Sequence, residues 1–371
     1  MHKFPTVGVF CVALLFQGLI AMTVSGDTLP DPAAPGVGGY VSGELIYALE
    51  GRQTPQCHAS TIVETPDGLV AAWFGGAHEK NPDVGIWVSR LEGETWSLPV
   101  EVVNGVQSPE LRYPCWNPVL FQPEDDNDTP GPLMLFYKVG PSPSEWWGML
   151  TLSEDNGRTW DSPSRLGEGP LGHLAGPIKN KPIQLEDGSI LCPTSTEDNG
   201  WRVHFERTED EGRTWEVIGP INDGEEFSAI QPSILTYPDG RMQVVCRSRE
   251  SVLTTSWSSD GGATWSPMTS TGLPNPNAGT DALTLKDGRQ LLVYNHTTRS
   301  GGFPSGRNML NVAISEDGNT WTPVLTLDRA EGEYSYPAVI QTKDGLVHIT
   351  YTYLRQSIKY VVLNPEELAA P

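Results

Sequence analysis

The sequence predicts an all-β chain, a six-bladed β-propeller of four-stranded antiparallel blades, and three observations carry that prediction. First, a hairpin pattern of apolar run, Asp-Gly turn and apolar run occurs five times, and a sixth time with a longer polar turn. Second, a box typified by SEDNGRTW (153–160) recurs as TEDEGRTW (208–215), SSDGGATW (258–265) and, one residue shorter, SEDGNTW (315–321). A fifth copy, SRLEGETW (89–96), has Leu91 in the Asp place. Third, the box tryptophans Trp96, Trp160, Trp215, Trp265 and Trp321 stand 64, 55, 50 and 56 residues apart. Repeats of about 50 residues carrying four strands are propeller blades. The 39 glycines, 32 prolines and 12 tryptophans suit many short strands joined by tight turns.

The elements follow in chain order. Residues 1–26 read as a secretory signal: Lys3 near the start, an apolar run over 7–22, then the small residues Ser25 and Gly26. The run is shorter than the roughly 20 residues of a spanning helix, so cleavage and export, secreted or periplasmic, are expected, with no membrane span afterwards. Residues 27–39 read as a flexible lead-in, and 40–371 as one propeller. GELIYALE (43–50) is expected to form the outer strand of the last blade, because the chain ends near that blade's third strand, SIKYVVL (357–363). The hairpins are ASTIVETPDGLVAAWF (59–74), NPVLFQPEDDNDTPGPLMLFYK (117–138), KPIQLEDGSILCPT (181–194), QPSILTYPDGRMQVVC (231–246), DALTLKDGRQLLVYN (281–295) and YPAVIQTKDGLVHITYTY (336–353). Asp-Gly between two β-rich runs is a strong local hairpin signal.

The boxes come after each blade's third run and read as structure. Asp and Ser side chains hold backbone N–H groups in a turn, Gly accepts a left-handed conformation, and Trp packs between sheets. They mark the outer edge of a blade and point away from the chemistry.

A formal charge of −22 and a pI near 4.6 argue against nucleic acid or anionic lipid as partners. A few cations in a cleft can still outweigh a distant acidic surface. Beyond Cys11 in the signal, Cys57, Cys115, Cys192 and Cys246 allow three disulfide pairings, or none, since a chain of this size does not depend on staples. No Cys-x-x-Cys spacing occurs, and neither a metal nor a cofactor is called for.

The first strands of the hairpins begin around one mouth of the channel, so their entry residues should face one another: His58, Asn117, Lys181, Gln231, Asp281 and Tyr336. Loops leaving the second strands add RSRE (247–250), YNHTTRSGGFPSGRN (294–308), FGGAHEKNPD (74–83) and STEDNGW (195–201). Lys138, Lys181, Arg247 and Arg307 would form a positive cluster suited to a carboxylate, or would pair with Asp281, Glu197 or Glu250. PSPSEWWG (141–148) offers an aromatic platform for a sugar face.

On the stretches IQPSILTYPDGRMQVVCRSR (230–249), LLVYNHTTRSGGFPSGRNMLNVAIS (291–315) and EYSYPAVIQTKDGLVHITYTY (333–353), the chain resembles the sialidase superfamily of box-containing propellers. The resemblance covers essentially all of the exported part. It implies three arginines on a sugar carboxylate, a tyrosine nucleophile activated by a glutamate, and an aspartate acid/base. By position Arg247 and Arg307 match the second and third arginines. Tyr334 matches the nucleophile, with Tyr336 its rival, and Asp83 matches the acid/base. Two positions depart: CHAST offers His58 where the family has its first arginine, and Gln231 stands at the partner glutamate. Glutamine cannot take a tyrosine's proton, and a free phenol near pKa 10 is a poor nucleophile at neutral pH; Glu250 or Glu197 would have to substitute.

The function these features predict is an exported exo-glycosidase that removes a terminal acidic sugar, such as sialic acid, from a carboxylate-bearing glycan. Two alternatives stand beside it. One is a polysaccharide lyase on uronate-containing glycans, with His58 as base and Tyr334 or Tyr336 as acid. The other is a non-catalytic glycan-binding propeller.

Overall fold

The computed structural model describes residues 1–2, 29–124, 129–198 and 200–368. The expected signal, apart from Met1 and His2, lies outside the described residues. Six antiparallel sheets stand around a channel, each beginning with its innermost strand. Blade 1 holds Gln56–Thr65, Gly68–Gly76, Gly85–Glu92 and Val100–Val103. Blade 2 holds Cys115–Phe121, Leu133–Val139, Trp147–Ser153 and Ser164–Arg165. Blade 3 holds Ile183–Gln184, Ile190–Thr196, Arg202–Thr208 and Glu216–Ile218. Blade 4 holds Ala229–Thr236, Met242–Ser248, Val252–Ser258 and Thr269–Pro274. Blade 5 holds Asp281–Thr284, Gln290–Tyr294, Met309–Ser315 and Thr322–Arg329. Blade 6 holds Tyr334–Gln341, Val347–Tyr353, Ser357–Leu363 and, outermost, Tyr40–Leu45.

That last strand closes the ring as expected, a few residues earlier than GELIYALE implied. It pairs with Ser357–Leu363, while Ile46 and Tyr47 leave the edge to pack in the core, Tyr47 stacking on Trp73 at 5.3 Å. Part of the lead-in is tied down: Ala33 N–H donates to Thr326 O at 2.7 Å, and Thr326 Oγ1 donates to Pro30 O at 2.7 Å.

The boxes form the turns between third and fourth strands in blades 2 to 5. In the first complete copy Asp155 Oδ1 accepts the N–H groups of Arg158 and Thr159 at 3.0 and 2.7 Å, and Thr159 Oγ1 donates to Asp155 Oδ2 at 2.6 Å. Ser153 Oγ accepts from Gly157 N–H at 2.8 Å, and Gly157 takes the left-handed φ of 82° that the turn needs. These bonds hold the Asp155 carboxyl down to about 2. The box tryptophan then reaches the neighbouring blade: Trp265 stacks on Phe205 at 4.6 Å, and Trp215 meets Phe136 edge-on at 6.3 Å. In the copy lacking Asp, Leu91 pairs with Trp96 in a short extra hairpin, and Trp96 still packs on Tyr360 at 5.1 Å. The turn chemistry is replaceable there; the aromatic wedge between blades is kept.

Cys57, Cys115, Cys192 and Cys246 are free and buried. Burial pushes their thiols up, Cys57 to about 12. Among the described residues no helix is long and apolar enough to cross a membrane.

Candidate active site

Four innermost strands carry, within their first four residues, one in the left-handed region: Ala59 at φ 55°, Asn117 at 26°, Gln231 at 57° and Tyr336 at 54°. Each sits where the pairing register slips, a bulge that breaks the in-out alternation of the strand. A non-glycine residue held there costs about 1–3 kcal/mol, a strain that clusters at functional sites. Its effect is to aim Gln231 and Tyr336 at one point of the channel mouth. Arg247, at the end of the second strand of blade 4, reaches the same point. It donates through Nη1 to the Tyr336 hydroxyl and to Gln231 Oε1, the latter at 3.2 Å. Its guanidinium carbon lies 5.6 Å from the Tyr336 ring centroid, and that of Arg307, from the loop before the third strand of blade 5, lies at 5.2 Å.

The two arginines share a tether that the sequence did not reveal. Asn277 Oδ1 accepts from Arg247 Nε at 2.8 Å, and Asn277 O accepts from Arg307 Nη2 at 3.3 Å. The same loop passes over Tyr336 at Gly279, where a Cβ would meet both Gln231 Oε1 and the Tyr336 ring at 3.2 Å. Only a residue without a side chain fits that crossing comfortably.

A third arginine also stands here. Arg355, in the turn after the second strand of blade 6, donates through Nε to Glu333 Oε2 at 2.9 Å and through Nη1 to Glu79 Oε2 at 2.6 Å. Glu333 Oε1 in turn accepts from Arg307 Nη1 at 2.9 Å and from Ser335 Oγ at 2.6 Å. Burial would raise the Glu333 carboxyl, but the Arg307 and Arg355 charges outweigh it and hold it well below the usual carboxylate range. Arg355 was missed although its place obeys the rule that found Arg247, a loop leaving a second strand.

His58 lies against Tyr336, ring centroids 4.0 Å apart. Its Nε2 faces Arg355 Nη2 at 3.4 Å, and Nδ1 lies 2.8 Å from Thr352 Oγ1. Arginine only donates, so Nε2 accepts and Nδ1 carries the hydrogen. Burial, reinforced by Arg355, holds the imidazole well below its ordinary value, and it is neutral. An arginine charge therefore occupies the region where CHAST lacks one, supplied from the last blade instead of the first.

Other expected residues lie elsewhere. Tyr334 does not share the arginine patch: its ring packs in the hydrophobic cluster with Val339 and Tyr351, 5.4 Å from Tyr353, and burial pushes its hydroxyl up to about 12. Tyr336 is the tyrosine that the bulge turns toward the arginines. Lys138 is fully buried, its ammonium on Pro177 O, and burial lowers it to about 7. Lys181 is an ion-pair partner in the channel, 3.0 Å from both Asp281 oxygens. Asp281 accepts further from Ser233 Oγ at 3.1 Å and Val339 N–H at 2.8 Å, joining blades 3, 4, 5 and 6. In blade 3 the left-handed residue is Lys179, two positions before the expected entry. Its ammonium is held by Asn180 Oδ1, Thr280 O and Pro337 O beneath the site. Asn117 is a buried left-handed entry residue at φ 26°. Both Asp83 oxygens accept from Ala77 N–H at 3.1 Å, bracing their own loop. Glu250 caps Ser228 N–H at 3.2 Å. Among the described residues no group of His, Cys, Asp and Glu could hold a metal ion.

Beside the patch a cleft of about 510 Å³ runs along blades 2 and 3, lined by Tyr113, Trp146, Trp147, His173, Glu197 and His204 among others. A hollow of about 490 Å³ at the opposite mouth is lined by Leu120, Pro182 and Ile340 and lies far from the arginines, at the other ends of the inner strands.

A six-bladed ring with box turns and arginines converging on a tyrosine at one mouth defines a sialidase-superfamily propeller. Within that class the chain belongs to the BNR repeat-like domain family, whose model matches residues 67–349. None of the curated proteins matches the sequence. Among solved structures it is similar to a protein of unknown function from Dyadobacter fermentans, at 20% identity and a TM-score of 0.70, covering 88% of this chain and 98% of that one. It is also similar to a Hadza microbial sialidase, at 18% identity and a TM-score of 0.72, covering 88% and 69%. A third is the Streptococcus pneumoniae NanB sialidase, at 12% identity and a TM-score of 0.66, covering 88% and 71%. At these identities the likeness shows the fold.

Proposed function

We propose that the protein is an exported exo-glycosidase that hydrolyses a terminal acidic sugar from a glycan. The observation that carries this is the meeting of Arg247, Arg307 and the Tyr336 hydroxyl at one mouth, from three different blades. Arginine's planar fork suits a carboxylate, and a fixed cluster gains strength where burial lowers the effective dielectric. Arg247 is 6% exposed, and burial lowers its pKa. Export is supported by the basic and apolar N-terminal segment. A tyrosine nucleophile is the known exception to the two-carboxylate rule of glycoside hydrolysis. A neutral phenol approaches an anomeric carbon bearing a carboxylate without the repulsion that a carboxylate nucleophile meets. Here Arg247 stands at that phenol's oxygen with Gln231 beside the arginine, and since neither can take a proton, the phenol's proton passes to water as its oxygen bonds the anomeric carbon.

The test is the purified mature protein with fluorogenic glycosides of sialic acid and of a uronic acid. Release is expected from one of them. Tyr336→Phe should abolish it, and Arg247→Ala should lower kcat/KM about 100-fold, the loss of one or two charge-assisted contacts. Absence of release from both, with Tyr336→Phe indistinguishable from wild type, would remove the hydrolase. The second reading, β-elimination from a uronate polymer, needs a base other than His58, whose accepting Nε2 already faces Arg355. An unsaturated, ultraviolet-absorbing product would identify it. Binding without any product would leave a glycan-binding propeller.

A further inference from the structure

Five of the carboxyl groups around the arginine patch and the adjoining cleft already have work within the protein. Glu333 bridges Arg307 and Arg355. Glu79 is paired with Arg355. Asp83 and Glu250 hold backbone N–H groups of loops. Glu206, at the cleft floor, accepts from Ala175 and Gly176 N–H and faces His204 Nε2 at 3.3 Å. Glu197 is held more lightly, with the Trp201 side chain as its hydrogen-bonding neighbour. It follows the second strand of blade 3, forms no salt bridge among the described residues, and lines the cleft with Trp146, Trp147 and His204. Its neighbours on the other side are Arg247, Arg249 and Trp201, and the Trp201 ring carries both guanidinium groups, at 5.0 and 4.2 Å from its centroid. Glu197 thus stands between the arginine that touches the Tyr336 hydroxyl and the aromatic cleft.

The cleft has the make-up of a site for a neutral sugar. Trp147 is clamped, with the Arg165 guanidinium 4.9 Å from its centroid and Tyr113 and His173 edge-on at 5.7 and 6.3 Å. Two buried polar atoms in this wall, His204 Nδ1 and Thr196 Oγ1, have no partner among the described residues. The Glu206 carboxylate takes the Nε2 hydrogen of His204, which leaves Nδ1 an acceptor. Clamped aromatic faces with unmet hydrogen-bonding groups match a pyranose, apolar on one face and hydroxylated at its rim.

We propose that the sugar adjacent to the acidic one sits in this cleft, and that Glu197 is the proton donor to the oxygen linking the two sugars. This rests on the hydrolase reading above and departs from the assignment of Asp83 that the family resemblance implies. In the step, the bond between the anomeric carbon and the linking oxygen breaks and its electron pair stays on that oxygen. Glu197 gives its proton to the same oxygen. The water that completes hydrolysis adds its OH to the acidic sugar and returns a proton to Glu197, so the carboxyl is unchanged over the cycle. Burial raises the Glu197 carboxyl above its ordinary value despite Arg247, Arg249 and Trp201, with Glu79 adding to the rise, the direction a proton donor requires.

The experiment compares kcat/KM of wild type, Glu197→Gln and Asp83→Asn on sialyllactose and on the nitrophenyl glycoside of the same acidic sugar. A nitrophenolate departs without a proton; a sugar alkoxide needs one. Glu197→Gln should lose about 100-fold or more on sialyllactose and less than about fivefold on the nitrophenyl glycoside. It should also lose the alkaline fall of the sialyllactose pH profile. Its retained hydrolysis of the nitrophenyl substrate reports that the variant is folded. Equal losses on both substrates, no loss on either, or the leaving-group-dependent loss appearing in Asp83→Asn, would overturn the assignment while leaving the hydrolase standing. A wild type inert on both sialosides and on the corresponding uronic acid disaccharide and nitrophenyl glycoside would remove the hydrolase reading and the assignment with it.

Discussion

Replacing Glu333 with Gln tests whether the arginine patch is held by an internal carboxylate. The carboxylate accepts from Arg307 Nη1 and Arg355 Nε, both at 2.9 Å, and from Ser335 Oγ at 2.6 Å. The amide keeps one acceptor and turns an NH2 group toward a guanidinium. Removing one partner of a buried pair costs about 3–5 kcal/mol. Glu333, Arg307 and Arg355 are each about a quarter exposed, so water screens part of this and about 3 kcal/mol is expected at pH 7. For a chain of this length that is about 4 °C in Tm.

The dependence on pH is more specific than the size. The folded carboxyl titrates below its unfolded value of about 4.3. Its contribution is therefore complete above that value and is lost as pH falls toward the folded one, at about 1.4 kcal/mol per pH unit. The gap between wild type and Glu333→Gln should hold from pH 7 to 5 and shrink to about 1 kcal/mol at pH 3. Urea denaturation followed by tryptophan fluorescence reads it without adding salt. A gap that stays constant or widens as pH falls would mean that Glu333 is not the ionised bridge between the arginines.

The remaining predictions concern the scaffold. Trp321 is 8% exposed in the cluster between blades 4 and 5 and donates to Gly318 O at 3.0 Å, so Trp321→Ala should cost about 3–5 kcal/mol in denaturant midpoints. Asp317→Ala in the same box should cost clearly less; the reverse order would refute the wedge account. Cys57, Cys115, Cys192 and Cys246, buried and free, should resist a thiol reagent in native buffer and all react in denaturant without reductant. Any disulfide found by mass spectrometry would contradict this.

Legibility followed distance along the chain. Asp-Gly turns and boxes act over a few residues, and each copy repeats the same hydrogen bonds, so strand order, blade number and the closing strand could be read before any fold was seen. Arg247 and Arg307 were legible for a related reason, because second-strand exits and the loops after them point to the mouth in every blade. Arg355 obeyed the same rule, but its turn is short and carries no Gly-rich or polar run to draw notice.

What the linear pattern could not supply was the meeting of groups from different blades. Tyr334 and Tyr336 differ by two residues and look alike in sequence. The left-handed φ of Tyr336 and the slipped register beside it send one ring to the arginines and leave the other in the core. Asn277 holding Arg247 and Arg307, Glu333 bridging Arg307 to Arg355, and Glu197 standing between patch and cleft all bring together residues tens of positions apart, which only the packing of neighbouring blades makes neighbours. The local turn energies made the blades. The sign of one backbone angle and the packing of six sheets around an axis selected which side chains came to share a site.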